Sequence, residues 1–181
     1  HWRITVAETK RTLSTVLLNL ADNTTQQISP EDIRDAIVTA TIDHGDIYIV
    51  GQSETSIPVI NTWYTVAGTW SLSMGLDWAM DVNGQLKYTG PAARMCHAGV
   101  SLSFTTDSGN QVLKWGVARN GLIIPASIQS VKNGGGSDIS STALHLMVNM
   151  ATDDYLTLEV QNTTSATGVT VEFRSEEHTS E

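Results

Sequence analysis

From about residue 44 to residue 173 the chain repeats a two-residue alternation of apolar and polar side chains, and that period constrains the fold more than any other feature. Leu144, Leu146, Val148 and Met150 alternate with His145 and Asn149; Leu156, Leu158 and Val160 alternate with Thr157 and Glu159. Val100, Leu102 and Phe104 oppose Ser101 and Ser103, Ile47 and Ile49 oppose Tyr48 and Val50, and Val169, Val171 and Phe173 oppose Thr170 and Glu172. Successive side chains of an extended strand point to opposite faces, so each stretch reads as a half-buried strand. Turn residues separate the stretches: Asn83-Gly84, "TDSGN" at 106–110, Asn120-Gly121 and "NGGGSD" at 133–138. Roughly eight to ten short antiparallel strands with these signals predict a mainly β chain, a jelly-roll β-sandwich. There is no alternation of strands with helices, which disfavours a nucleotide-binding parallel sheet.

The first 43 residues read differently. Leu13, Val16, Leu17 and Leu20 fall three and four apart, the helical spacing, until Asp22-Asn23 interrupts them. In "ISPEDIRDAIVTA" Ser29 suits an N-cap, Pro30 the first helical position, and Glu31 and Asp32 the positive end of the helix dipole. Ile33, Ala36 and Ile37 form one narrow apolar stripe. Residues 1–43 are therefore expected to be a short helical neck or connector, with the β domain over 44–173.

"VLKWGVARNGLII" places Leu113, Trp115 and Val117 on one strand face and Val112, Gly116 and Ala118 on the other. A strand that is apolar on both faces predicts cover by the helices or by another subunit. Leu113, Trp115 and Val117 are the candidate subunit-contact residues.

Composition narrows the function classes. The formal charge is −9, of which Arg174, Glu176, Glu177 and Glu181 contribute −2, leaving −7 for the remainder. The basic residues are scattered, which argues against a phosphate-tracking nucleic-acid surface. Charged residues make up only 16% of the chain, below the usual quarter, while Ser, Thr, Gly and Asn are plentiful, as in extracellular or virion proteins. The single cysteine, Cys96, excludes an internal disulfide framework and a cysteine zinc cluster, and its strand setting predicts a buried inert thiol. No apolar run approaches the roughly 18 residues of a membrane span. Two Asn-Thr-Thr sequons, at Asn23 and Asn162, are expected by chance in so Asn- and Thr-rich a sequence.

A search for reaction machinery yields little. His97 and His145 lie mid-strand without a second ligand at metal spacing, and read as core or interface histidines. His44, between Asp43 and Asp46, is the one close histidine–carboxylate group. Asp153-Asp154 resembles an acid pair for glycoside hydrolysis, but adjacent acids are common in the turn before a strand. Nucleophile elbow, P-loop and dinucleotide fingerprints are absent. No catalytic residue, cofactor or metal is expected. Trp63, Tyr64 and Trp70 are candidates for a sugar-stacking platform, weighed against ordinary use of aromatics in cores and interfaces.

Three stretches carry a family resemblance. "LLNLADNTTQQISPEDIRDAIVTA", residues 17–40, resembles a segment of tailed-bacteriophage structural proteins. "LKYTGPAARMCHAGVSLSFTTDSGNQVLKWGVARNGLII" is similar to the jelly-roll head of complement-type and tumour-necrosis-factor-like proteins in its phage version, through Tyr88, Thr89, Gly90, Arg94, Asn120 and Gly121. "LTLEVQNTTSATGVTVEF" resembles the last two strands of that head. The resemblance implies a homotrimer around a threefold axis and a virion structural role in a fibre, tail or head decoration. It also implies other virion proteins as partners, contact with a host-surface glycan, location in the virion, and neither nucleic-acid binding nor membrane insertion. A carbohydrate-binding module or lectin of a cellular secreted protein is the alternative.

The strand "VTVEF" runs directly into "RSEEHTSE", residues 174–181, which has no period. Those eight residues match, codon for codon, the translation of a common sequencing adapter, so the chain reads as an environmental gene fragment with a non-native tail. The resembling family continues its final strand where Arg174 begins here. Phe173 is expected to pack in the core and Arg174–Glu181 to make few native contacts.

Overall fold

The computed structural model describes residues 44–81, 84–135 and 138–172, together with Ile33 and Ile37. The expected helical neck over 1–43 otherwise lies outside the described residues, as do Phe173 and the tail 174–181. Ile33 and Ile37 are helical with exposed side chains.

Among the described residues thirteen strands follow in order: β1 (His44–Gln52), β2 (Glu54–Thr55), β3 (Tyr64–Thr65), β4 (Gly68–Leu76), β5 (Trp78–Asp81), β6 (Gln85–Tyr88), β7 (Arg94–Thr106), β8 (Gln111–Arg119), β9 (Leu122–Ile123), β10 (Gln129–Asn133), β11 (Ser140–Met150), β12 (Tyr155–Asn162) and β13 (Val169–Glu172). All described pairings are antiparallel. One sheet has the order β11-β7-β13-β2; the facing sheet has the order β10-β8-β12-β6-β5, with β3 added beside β12 and β9 beside β8. From β7 onward the chain crosses to the second sheet for β8 and β10, returns for β11, crosses for β12 and returns for β13. This repeated exchange between two facing sheets is the jelly-roll arrangement that the alternation predicts. β1 and β4 form a separate two-stranded sheet.

The core lies between the sheets, where the inward positions of each strand meet. Leu144, Leu146, Val148 and Met150 of β11 face Leu113, Trp115 and Val160 of the second sheet, and all are buried. Phe104 and Trp115 meet across the gap between the sheets with ring centroids 4.9 Å apart, tilted at 50°. Trp78 and Tyr88 make a similar tilted contact at 5.1 Å; such pairs add roughly 0.5–1.5 kcal/mol beyond area burial.

The expected subunit role of Leu113, Trp115 and Val117 is corrected by this arrangement. They are 0, 0 and 3% exposed in the isolated chain, because the opposite sheet of the same chain already covers them. The other face of β8 is covered as well. Gly116 lies beneath the Trp63 indole, Ala118 is fully buried beside β9, and the segment leading through β3 is tied down by Asn61 N–H to the Asn162 carbonyl (2.9 Å) and Val66 N–H to the Leu158 carbonyl (3.0 Å). A strand that is apolar on both faces is thus satisfied within one chain.

Candidate functional site

Two surface features stand out once the core is accounted for: an exposed sheet face and an open cleft between strands. Both border β7.

The outer face of the β11–β7 ladder is unusual in chemistry. Inward positions of β7 are even-numbered, so Met95, His97 and Gly99 project outward; on β11 the odd positions Ala143, His145 and Met147 do the same. Met95 and Met147 are 63 and 61% exposed. The register sets His97 beside Met147 and Gly99 beside His145, which stacks the two imidazoles at 5.5 Å with planes 14° apart. Gly99 leaves the space that His145 leans over. The result is a flat patch of methionine, histidine and small residues without a carboxylate or ammonium group among its six members. Core burial of the histidines is ruled out by the pleat, which points both outward.

The cleft has a volume of about 1320 Å³ and lies between β1 and the first half of β7. Ile47 and Ile49 form one wall, Ala98 and Val100 the other, and Val117 and Leu158 of the second sheet lie in its floor. Val171 and Glu172 close one end. Cys96 also faces this space and is half-buried rather than fully buried, with its Sγ 3.8 Å from the Arg94 carbonyl.

The three aromatic candidates are not brought together. Tyr64 pairs with Val160 and packs against the core, whereas its neighbour Trp63 turns to the outer face of the same sheet and covers Gly116. Trp70, on β4, lines the cleft and packs on Gly84. Strand alternation separates adjacent aromatics, so a shared stacking platform does not form.

The remaining candidates have structural roles. Asp154 accepts from the Asn120 side-chain amide (2.6 Å) and from the Ala151 N–H (2.8 Å), and these hydrogen bonds hold its carboxyl below the ordinary carboxylate value. Asp153 lies 2.8 Å from the Lys87 ammonium, whose pKa is raised by that hydrogen bond and charge. The two acids thus serve a turn and an ion pair. Asn162 of the second sequon is fully buried, its amide donating to Gln111 (3.1 Å) and to the Thr167 carbonyl (3.3 Å), so a glycan has no access to it. Among the described residues no group of three or more His, Cys, Asp or Glu is placed to hold a metal ion, His44 and Asp46 included. No described helix is long and apolar enough to cross a membrane.

No protein-family model matches the sequence, and no curated protein matches it. Among solved structures, the chain is similar to the Eiger TNF from S. frugiperda, with 13% identity and a TM-score of 0.42, covering 77% of this chain and 94% of that one.

Proposed function

We propose that this chain is a structural component of a bacteriophage particle, a fibre, tail or head-decoration protein, whose jelly roll assembles as a homotrimer. The observation that carries the assembly reading is the outer face of β7 and β11. Met95 and Met147 expose large apolar side chains on a flat sheet surface, and the patch around them lacks charge. Charge depletion with methionine enrichment is the compositional mark of the centre of an interface. The number three and the virion setting rest on the sequence resemblance of residues 17–40 and of the stretch around Asn120 and Gly121.

The protein is read as a binding and assembly module, without a catalytic role. Separation of Trp63, Tyr64 and Trp70 removes the platform on which a lectin reading would have rested, so host-surface glycan contact would fall to other surfaces of the trimer. Three copies on one particle would still multiply a weak contact by avidity.

Light scattering coupled to size exclusion tests this reading. The expected species has three times the 19.5 kDa chain mass, and Met95→Glu combined with Met147→Glu is expected to yield a folded monomer. A monomeric wild-type chain, or a double variant that stays trimeric, would overturn it.

A further inference from the structure

Two of the chain's five histidines and two of its five methionines share the outer face of the β7–β11 ladder, where they form one cluster of metal-ligating side chains. Each strand contributes a pair: "MCH" at 95–97 on β7 and "HLM" at 145–147 on β11 put one thioether and one imidazole on the same face. The antiparallel register brings the pairs side by side, with His97 directly opposite Met147 and Gly99 directly opposite His145. Opposed Cβ atoms are about 4.5–5.5 Å apart, and successive same-face residues of one strand about 6.8 Å. Met147 is therefore a neighbour of both histidines, across the ladder from one and along the strand from the other. Cys96, between Met95 and His97, points to the other face of the sheet.

Gly99 is the centre of the cluster. A Cβ on that glycine would lie 3.4 Å from His145 Nδ1, 3.5 Å from His145 Cε1 and 3.8 Å from His97 Cε1. Cε1 is the carbon between the two ring nitrogens, so both imidazoles turn a nitrogen-bearing edge toward one space, and the missing side chain leaves that space open. The ring centroids are 5.5 Å apart. With metal–imidazole bonds of about 2.0–2.1 Å, two rings that share one ion stand no more than about 6.5 Å apart. The pair falls inside that limit, and a turn of either exposed ring about its Cβ–Cγ bond aims a nitrogen of each at one point. Neither imidazole hydrogen-bonds to another described residue, so no protein group competes for those nitrogens.

The donor types select the metal. Calcium and magnesium take oxygen ligands, and zinc takes three or four ligands from His, Cys and carboxylates; the cluster has two imidazoles and no carboxylate. Imidazole suits copper among several metals, and thioether sulfur narrows the choice to Cu(I). Methionine, unbranched and with three rotatable bonds, adapts its sulfur to a neighbour without a cost in packing on an exposed face. We infer that the outer face of β7 and β11 carries a Cu(I) site, in which His97 and His145 supply nitrogen over Gly99 and Met147 supplies sulfur, with Met95 as the second thioether beside His97. Every donor belongs to one chain, so the site does not rest on the trimer reading, and one ion per chain is expected in either species.

The experiment titrates the full 181-residue chain with Cu(I) under anaerobic, reducing conditions, in competition with bathocuproine disulfonate, whose coloured copper complex fades as the protein takes the ion. One equivalent is expected to bind. Met147→Leu removes the sulfur and keeps an apolar side chain of similar volume, and is expected to weaken binding at least tenfold. Gly99→Val keeps every donor and fills the space between the rings, with the same expected loss. His1, His44, His178 and Cys96 are unchanged in both variants, so copper held at those groups would give wild-type affinity throughout. Wild-type affinity in either variant, or no copper bound by the wild-type chain, overturns the inference. Met147→Leu decides the matter even if Gly99→Val fails to fold, and light scattering on the same samples separates loss of copper binding from a change of oligomer.

Discussion

Trp63 lies over Gly116 so closely that a Cβ on that glycine would sit 3.4 Å from the ring. That distance is an ordinary van der Waals contact, so the site has room for one methyl group and no more. Gly116→Ala is expected to leave the melting temperature unchanged or slightly raised, since alanine loses less backbone entropy than glycine on folding. Gly116→Leu must displace the indole and is expected to cost about 1–3 kcal/mol. Thermal unfolding of the two variants checks this, and a Gly116→Leu protein as stable as wild type would show that Trp63 does not hold that face.

Trp115 is the largest fully buried side chain among the described residues and meets Phe104 across the sandwich. Trp115→Ala is expected to lose about 3–5 kcal/mol, enough to remove a large part of a domain's stability. Trp115→Phe should cost much less. It keeps an aromatic partner for Phe104 and deletes an indole N–H that has no hydrogen-bond acceptor among the described residues. Denaturant unfolding distinguishes the two; equal losses would mean that the ring contributes little beyond its volume.

At the opposite end of size, Gly84 has φ of +73°, and a Cβ there would lie 2.5 Å from the Trp70 indole nitrogen. Gly84→Ala therefore meets both a left-handed backbone and a ring that forms one wall of the cleft. The expected result is a destabilisation of at least about 1 kcal/mol, read as a lower melting temperature. A Gly84→Ala chain with unchanged stability would mean that Trp70 moves aside without cost.

Acid sensitivity should have a contribution from the turn at residues 151–154. The Asp154 carboxyl is held below its ordinary value of 3.8, first by the Asn120 amide and then by the Ala151 N–H. A lowered folded-state value means that the ionised form stabilises the fold above the unfolded value, and that this contribution is lost as pH falls through the folded one. Asp154→Asn is therefore expected to be less stable than wild type near neutrality, with the difference shrinking as pH drops below 3.8. Melting temperatures measured across that range test it, and a difference independent of pH would sink the assignment.

Much of the sandwich was legible because alternation depends only on neighbouring residues. The inward sets of β11, β12 and β7 follow from the period alone, as does the division of β8 into two faces. What period cannot supply is the identity of the covering element. Leu113, Trp115 and Val117 were expected at a subunit contact because nothing local shows that the opposite sheet covers their face and that Trp63, some fifty positions earlier, covers the other at Gly116. Pairing of β7 with β11, which stacks His97 on His145, is likewise a long-range fact. The aromatic platform is a different case: Trp63 and Tyr64 are adjacent, and the two-residue period already implied opposite faces. Asn162 shows the limit of motif matching, since a sequon says nothing about burial.

The separate β1–β4 sheet has a kinetic consequence. β7 and β11 share a ladder that runs the whole 11-residue length of β11, and Leu144, Leu146, Val148 and Met150 of β11 with Leu102 and Phe104 of β7 are buried in the core, whereas β1 and β4 are paired mainly with each other, with Tyr48, Val50 and Met74 exposed. Amide protons of β1 and β4 should therefore exchange with solvent through a local opening that leaves the sandwich intact, while those of β7 and β11 wait for global unfolding. The two-stranded sheet would behave as a flap on a permanent frame, and the rate at which it opens would set how quickly anything reaches the space beneath it.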